Sequence, residues 1–241
     1  MSPHTLCLVI ILRLPIKSLL PLTIATLALL TAPVYALPAN DVKPPPLHEK
    51  DFGSRIGIDF SKTSAYKKET EKAIDDAYAA CKKFLSDKEK GTAKGLPAVV
   101  SDLDETLIDN RPHFDKTPEF SWPAFEAWIK KADAPLLPKT AEFLQWARKN
   151  GFAIFFITGR REGLRADTIN NLIKREVAYD GLLMRREGDK GGAEAVKVPL
   201  RQQVEKMGFT IVVNIGDQWS DLQGGHAQDC EKLPNKIYLV E

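Results

Sequence analysis

Three apolar runs of strand length, each closed by polar residues, are the feature that most constrains the fold of this chain. They are Ala98–Val100, Phe152–Ile157 and Phe209–Ile215, and segments with helical periodicity separate them. Continuous apolar strands are typical of a parallel sheet covered on both faces, because each strand is then buried on two sides. The alternation predicts an α/β fold, a Rossmann-like three-layer αβα sandwich with a central parallel sheet.

Helices are predicted between these strands and before the first one. From Lys62 to Lys90 the apolar side chains fall on one helical face, with lysines and acids opposite. Further helices are expected over 138–149, 164–176 and 198–207, and short additional strands at 182–184 and 236–240. Pro138 and Gly151 suit the start and the end of the first of these helices.

Polar side chains follow the predicted strands at the point where each strand ends. The set comprises Asp102 and Asp104 after the first strand, Thr158 and Gly159 after the second, and Asp217 and Asp221 after the last long one. The carboxyl ends of parallel strands meet at one edge of a sheet, where ligands bind. We therefore expect these residues to form one site.

The residue types at this edge indicate metal-assisted phosphate chemistry, although each has a simpler interpretation. Asp102 and Asp104 could converge on a metal and a substrate, or serve as a capping acid and a turn acid. Asp217 and Asp221 suit Mg²⁺, which prefers oxygen ligands, or could cap a helix. A lysine before the helix over 198–207 could neutralise a phosphoryl group, and Lys197 and Lys190 compete for that role.

Four motifs in order resemble those of haloacid dehalogenase superfamily phosphatases. They are Asp102-Leu-Asp104-Glu-Thr106, Thr158-Gly159-Arg160, Val196-Lys197-Val198, and Asn214-Ile-Gly-Asp217-Gln-Trp-Ser-Asp221-Leu222. The third and fourth look like a subgroup that contains acid phosphatases related to plant vegetative storage proteins and bacterial class C acid phosphatases. The tail Lys232-Leu-Pro-Asn235 is also similar to theirs. The resemblance runs from Asp102 to the C-terminus.

The resemblance implies a role for each residue. Asp102 would attack phosphorus and form an aspartyl-phosphate, while Asp104 would act as the acid and then as the base. Mg²⁺ would be held by the Asp102 carboxylate, the Asp104 backbone carbonyl and Asp217. Thr158, Gly159 and Lys197 would bind the phosphate, and Asp221 would orient a metal-bound water or Lys197.

The segment 111–137 is predicted to be a small cap-like insertion, rich in aromatic residues. Its side chains could cover the pocket and accept a nucleobase or an aryl group, or they could form a small aromatic core. The members in question are Phe114, Phe120, Trp122, Phe125 and Trp128. The expected substrate is a small-molecule phosphate monoester, and a nucleoside monophosphate is suggested by the similarity to class C enzymes.

The N-terminal region predicts export. Residues 1–36 have the apolar run and the small residues at Val34 and Ala36 of a cleavable signal peptide, although an uncleaved anchor is the alternative. Residues 37–60 are predicted to form a proline-rich extended tether, and residues 61–241 the phosphatase domain, which begins with a helical region over 61–95. The mature protein is expected to be periplasmic or secreted, without stable membrane insertion.

Charge and cysteine content limit the partners. Apart from Arg13 and Lys17 in the leader, basic and acidic residues balance at 32 each, and no clustered basic patch suggests a nucleic-acid partner. Once Cys7 leaves with the leader, Cys81 and Cys230 remain. They could form a disulfide in an oxidising compartment or stay as two isolated thiols.

Two other functions compete with an exported phosphatase. A catalytically silent storage or binding protein could use the same fold, but the predicted nucleophile Asp102 is present. A phosphorylated signalling receiver also combines Asp, Thr and Lys at strand ends. The leader and the two acids one residue apart both oppose a receiver.

Overall fold

The computed structural model describes residues 42–117 and 119–240 of the chain. The predicted signal peptide over 1–36 and the first residues of the predicted tether lie outside the described residues. In the part that is described, no helix is long and apolar enough to cross a membrane.

A five-stranded parallel sheet forms the centre of the molecule, with the strand order β3-β2-β1-β4-β5. Its strands are β1 (Leu96–Ser101), β2 (Ala153–Arg161), β3 (Gly181–Arg185), β4 (Phe209–Gly216) and β5 (Asp229–Lys232). Every neighbouring pair is parallel. The prediction of an αβα sandwich around a parallel sheet is confirmed.

Helices precede the first strand and occupy the connections between the strands, and they include the four that the periodicity predicted. They are α1 (Ser54–Ser61), α2 (Ser64–Glu89), α3 (Arg111–Phe114), α4 (Trp122–Ile129), α5 (Pro138–Lys149), α6 (Arg165–Lys174), α7 (Ala193–Lys206) and α8 (Trp219–Leu222). One predicted boundary is wrong. Helix α7 begins five residues before the predicted start at residue 198, so Lys197 lies inside the helix rather than in front of it.

The two faces of the sheet carry separate apolar cores, because side chains alternate along each strand. Val99 and Phe156 pack with α2, α5 and α6 on one face, whereas Val100 and Phe155 pack with α7 on the other. Both faces are therefore covered, which explains the continuous apolar runs in the sequence.

The sheet also separates the two cysteines. Cys81 is a residue of α2 and lies in the core on one face of the sheet, whereas Cys230 on β5 packs against the core on the other face. Both are free thiols in the structure. Of the two interpretations, the structure shows isolated thiols, and burial raises their pKa to about 12 for Cys81 and about 11 for Cys230.

The prediction of a last strand at 236–240 is wrong, because the edge strand β5 lies earlier, at Asp229–Lys232. The tail after β5 uses its backbone in other ways: Leu233 N donates to Gly216 O, and Val240 N donates to the side chain of Gln218. Its apolar Ile237 packs into a third cluster at the carboxyl end of the sheet. The alternation of apolar and polar residues in this tail therefore reflects the burial of Ile237, not pairing with a neighbouring strand.

The prediction that residues 37–60 form an extended tether is wrong for its last part. Residues 54–61 form α1, and Ile58 is 4% exposed in the same cluster as Ile237. Gly57 lies so close to this tail that a Cβ there would be 2.3 Å from Ile237. The burial of Ile58 stabilises this helix despite the polar residues around it, so α1 belongs to the domain.

The insertion over 111–137 contains α3 and α4. Phe114 and Phe125 are buried in the third cluster, which confirms the aromatic-core interpretation for these two residues. Phe120 and Trp122 are 42% and 62% exposed. These two are the most exposed aromatic side chains of the insertion among the described residues.

Candidate active site

The strand ends converge as the sequence predicted. Ser101, the last residue of β1, is paired with Phe156 of β2 and with Ile215 of β4. Asp102 therefore follows β1 at the level where Thr158 lies on β2 and Asp217 follows β4. Strand β2 continues to Arg161, so Thr158 and Gly159 lie within it rather than after it.

Lys197 connects two of the acids. It is the fifth residue of α7, and its Nζ lies 2.6 Å from Oδ1 of Asp102. The same ammonium forms an ion pair with Asp221, and all three side chains are buried. Lys190, the competing lysine, forms no ion pair with any residue the structure describes. The contacts favour Lys197.

Asp102, Asp217 and Asp221 bring three carboxylate oxygens within 4.8 Å of one another, with one ammonium among them. Burial and the neighbouring acids raise the pKa of Asp102 well above its usual value and that of Asp217 to about 6. Burial alone would lower the pKa of Lys197, but Asp102 and Asp221 outweigh it and raise that pKa. Such an excess of buried negative charge suits a divalent cation.

Asp217 is held by donors from three parts of the chain. Thr106 Oγ1 donates to its Oδ1 at 2.9 Å. Its Oδ2 accepts from Gln218 Nε2 at 2.8 Å and from Asn235 Nδ2 at 2.6 Å. These donors fix the orientation of the carboxylate, and the hydrogen bonds from Asn235 and Gln218 lower its pKa against the effect of burial.

Asp221 combines the two roles that the sequence left open. It caps α8, because its Oδ2 accepts from the backbone N–H of Gln218 at 2.8 Å. Its other oxygen faces Lys197. Its backbone carbonyl accepts from Asn214 Nδ2 at 2.9 Å and from buried Arg201 at 2.6 Å. The helix cap thus positions the acid that holds the lysine.

Asp104 stands apart from the three-carboxylate cluster. Its Oδ1 accepts from Arg160 Nη2 at 2.6 Å and from Asn110 Nδ2 at 2.9 Å, and Oδ2 accepts from Arg160 Nε at 2.9 Å. The Asp104 side chain is 15% exposed, against 7% for Asp102. The two acids of the first motif therefore have different surroundings.

The phosphate-binding predictions for β2 are consistent with the local geometry. Thr158 Oγ1 accepts from the backbone N–H of Arg160 at 3.2 Å, which leaves its own hydroxyl proton available to another acceptor. A Cβ placed on Gly159 would meet nothing within 4 Å. The backbone at this position is therefore open to a ligand.

Sequence reasoning missed four residues that contact the site. Arg160 and Asn110 bind Asp104, while Thr106 and Asn235 bind Asp217. Arg160, Thr106 and Asn235 lie inside motifs that the sequence analysis quoted, whereas Asn110 lies outside them. Their partners, however, are up to 111 positions away in the sequence.

A parallel sheet with acids and a lysine at its carboxyl edge defines a class of metal-assisted α/β enzymes. The chain belongs to the haloacid dehalogenase superfamily, subfamily IIIB (acid phosphatase), whose family model matches residues 54–241. The resemblance predicted from the motifs is confirmed. The match also opposes the signalling-receiver alternative.

Individual relatives agree with this family. Acid phosphatase 1 of Solanum lycopersicum is 33% identical over 183 residues, which cover 73% of this chain and 69% of that protein. The stem 28 kDa glycoprotein of Glycine max is 33% identical over 151 residues, and the match spans 59% of each protein. A class C acid phosphatase from Bacillus anthracis, solved with tungstate bound, has the same fold, with a TM-score of 0.61 at 23% identity over 77% of this chain and 85% of that one.

Proposed function

We propose that the protein is an exported, Mg²⁺-dependent acid phosphatase that hydrolyses phosphate monoesters through an aspartyl-phosphate. The observation that carries this proposal is the buried contact between Lys197 and Asp102 beside a second acid pair, with Asp104 two residues from the attacking group. Family membership supports the same reaction.

Asp102 is the proposed nucleophile. Among the described residues, the side-chain contact to Asp102 is made at Oδ1 by Lys197, so Oδ2 can form the bond to phosphorus. As that bond forms, the bond from phosphorus to the ester oxygen breaks. Lys197 offsets negative charge on the transferring group, and Thr158 and Gly159 supply a hydroxyl and an amide to its oxygens.

Asp104 is the proposed acid and base. In the first step it gives a proton to the leaving alkoxide or phenoxide. In the second step its carboxylate takes a proton from the water that attacks phosphorus and releases Asp102. Its greater exposure places it nearer to solvent than Asp102, as both the departing oxygen and the incoming water require.

The donor set fits a hard divalent cation, because carboxylates are its preferred ligands. We infer that Asp102 and Asp217, together with the backbone carbonyl of Asp104, would hold Mg²⁺. When bound, the cation would offset negative charge on the phosphoryl oxygens. Asp221 would keep Lys197 in place next to the cation.

The substrate is proposed to be a small phosphate monoester, with nucleoside monophosphates as the class to test first. Phe120 and Trp122 support this choice, because they are exposed aromatic side chains in the insertion that follows the catalytic strand. An aromatic face there could stack on a base or an aryl ring.

The test is hydrolysis of 4-nitrophenyl phosphate by the full chain with Mg²⁺ or with EDTA. We expect turnover with Mg²⁺, loss with EDTA, and loss in Asp102→Asn. The exposed Asp75→Asn variant on α2 serves as the matched control and should keep full activity. No turnover on aryl, sugar or nucleoside phosphates would favour the storage-protein alternative instead.

Export is tested separately, because it depends on the leader. The chain is expressed with its own N-terminus and recovered from the medium or the periplasm. We expect Leu37 as the first residue of the recovered protein. A recovered chain that still begins at Met1 would support the anchor alternative.

A further inference from the structure

Asp104 takes part of its support from the insertion. Asn110 Nδ2 donates to Asp104 Oδ1 at 2.9 Å, and the indole Nε1 of Trp128 on α4 donates to Asn110 Oδ1 at 2.8 Å. These two hydrogen bonds form a continuous path from α4 to the proposed acid and base. The path crosses 18 positions of sequence between Asn110 and Trp128.

The chemistry of the indole fixes the orientation of the amide between them. An indole N–H can only donate, so the Asn110 atom facing Trp128 must be the oxygen. The amide nitrogen then faces Asp104, which needs a donor. Asn110 is completely buried, and its backbone N–H is bonded to Glu105 at 3.0 Å, so its side chain has little freedom to turn.

Trp128 is itself held in place. Its ring stacks on His113 with centroids 5.8 Å apart and an interplanar angle of 21°. Lys131 lies over the same ring, 5.7 Å from its centroid. The donor that sets the amide of Asn110 is therefore part of the packed insertion rather than a freely rotating side chain.

The two oxygens of Asp104 are not equivalent as a result. Oδ1 accepts from Asn110 and from two nitrogens of Arg160, at 2.9, 2.6 and 3.2 Å, whereas Oδ2 accepts from one nitrogen of Arg160 at 2.9 Å. The less engaged oxygen has more capacity to exchange a proton with another group.

We propose that Asn110 is a positioning residue that presents Oδ2 of Asp104 to the leaving oxygen. Trp128 fixes the orientation of the Asn110 amide that this requires. The inference rests on the proposed phosphatase reaction and deepens it. Oδ2 gives its proton to the ester oxygen as the phosphorus–oxygen bond breaks, and the same atom later accepts a proton from the attacking water. The insertion thus contributes to the chemistry of the site.

The test compares two substrates that differ in their need for an acid. The leaving group of 4-nitrophenyl phosphate departs readily without a proton, whereas that of an alkyl phosphate such as glycerol 2-phosphate needs one. We measure kcat/KM, which reports the steps up to formation of the aspartyl-phosphate. A merely structural role would lower both values together.

For Asn110→Ala we expect kcat/KM to fall about 100-fold on the alkyl phosphate and less than about 10-fold on 4-nitrophenyl phosphate. The difference is expected because only the alkyl leaving group needs the proton of a well-positioned acid. Trp128→Phe keeps a ring but removes the N–H. It should change the ratio of kcat/KM on the alkyl phosphate to kcat/KM on 4-nitrophenyl phosphate by about 3- to 10-fold, as expected for one hydrogen bond. Trp146→Phe on α5, half-buried and remote from Asp104, is the matched control and should leave the ratio unchanged.

The outcomes separate this inference from the proposed function. Equal losses on both substrates for the two variants would overturn the role of Asn110 while leaving the phosphatase intact. If Asn110→Ala does not fold, as judged by circular dichroism, Trp128→Phe decides the question alone. A parent chain with no turnover, or Asp102→Asn with parental turnover on both substrates, would overturn the proposed mechanism itself and this inference with it.

Discussion

The two acids of the first motif belong to halves of the site that are built differently. The nucleophile half comprises Asp102, Lys197, Asp217 and Asp221, and it is buried between strand ends and α7 and α8. The acid half comprises Asp104, Arg160 and Asn110, with Asp104 partly exposed. Strand ends together with α7 and α8 thus hold the proposed nucleophile, whereas Arg160 on β2 and the insertion hold the proposed acid.

This difference implies different responses to substitution. In the nucleophile half, Lys197 offsets part of a buried negative charge, so its removal leaves Asp102 and Asp221 uncompensated. In the acid half, a lost contact leaves a carboxylate that water can reach. We therefore expect stability to depend most on the first half, and leaving-group preference to depend most on the second.

The largest effect is expected for Lys197→Met. It removes the cation between Asp102 and Asp221, and breaking a buried pair in this way costs about 3–5 kcal/mol. The free energy of unfolding, measured in urea at pH 7, should fall by that amount, and phosphatase activity should be lost. Lys190→Met is the control, and a loss below about 1 kcal/mol for Lys197→Met would contradict the role of Lys197 in offsetting the charges of Asp102 and Asp221.

The next largest effect is expected for Arg160→Gln, which should impair the acid half without impairing the nucleophile half. It removes the paired contact to Asp104 but leaves the Lys197 cluster unchanged. We expect kcat/KM on an alkyl phosphate to fall about 100-fold, with a smaller loss on 4-nitrophenyl phosphate. A loss of activity that is equal on both substrates would mean that Arg160 serves the phosphate rather than Asp104.

Metal binding should depend on pH through the nucleophile half. The folded pKa of Asp217 is about 6, above its ordinary 3.8, so the proton stabilises the metal-free fold. That contribution is complete below about pH 4 and is lost as the pH rises through 6. A divalent cation needs the ionised carboxylate, so it replaces the proton at higher pH.

We therefore expect Mg²⁺ to raise the unfolding temperature more at pH 7 than at pH 5. At 100 times the dissociation constant the stabilisation is about 2.7 kcal/mol, and about 2–4 °C is expected for each kcal/mol in a chain of this size. Thermal unfolding with and without Mg²⁺ measures it. Asp217→Asn should lose most of the Mg²⁺ effect, and an equal effect at both pH values would contradict the assignment.

The smallest effect concerns Glu231, a buried acid on β5 outside both halves. Burial, together with Asp229 and Asp76, raises its pKa from 4.5 to about 8, although Lys72 opposes this. Its contribution to stability is present below about pH 4.5 and is lost as the pH rises through 8. Glu231→Gln should unfold a few degrees higher than the parent at pH 9 and close to it at pH 5.

Glu89→Gln, at the exposed end of α2, is the control for this substitution. It should unfold like the parent at both pH values. If Glu231→Gln is no more stable than the parent at pH 9, the raised pKa of Glu231 is contradicted.

The sheet and the nucleophile half could be predicted because they depend on local patterns. Apolar runs such as Phe152–Ile157 mark buried strands, and the parallel arrangement brings Asp102 and Asp217 to one edge. Edge and terminal elements were less predictable. Apolar and polar residues alternate over 236–240 as in a strand, yet this segment is not paired with any strand of the sheet. The more polar β5 pairs with β4 instead.

The acid half could not be predicted in the same way. The contact between Asp104 and Arg160 joins positions 56 apart, and the roles of Asn110 and Trp128 depend on how the insertion folds back. A single buried hydrogen bond leaves no periodic trace in the sequence. The tertiary packing of α1 against Ile237 likewise overrides the tether-like composition before it.

The most direct test of the whole account is to locate the phosphoryl group on the enzyme. The full chain is mixed with excess phosphate monoester and Mg²⁺, quenched in acid during turnover, and digested for peptide mass mapping. We expect one phosphoryl group on Asp102 and none in Asp102→Asn. A phosphoryl group on Asp104, or turnover without any phosphorylated peptide, would contradict it.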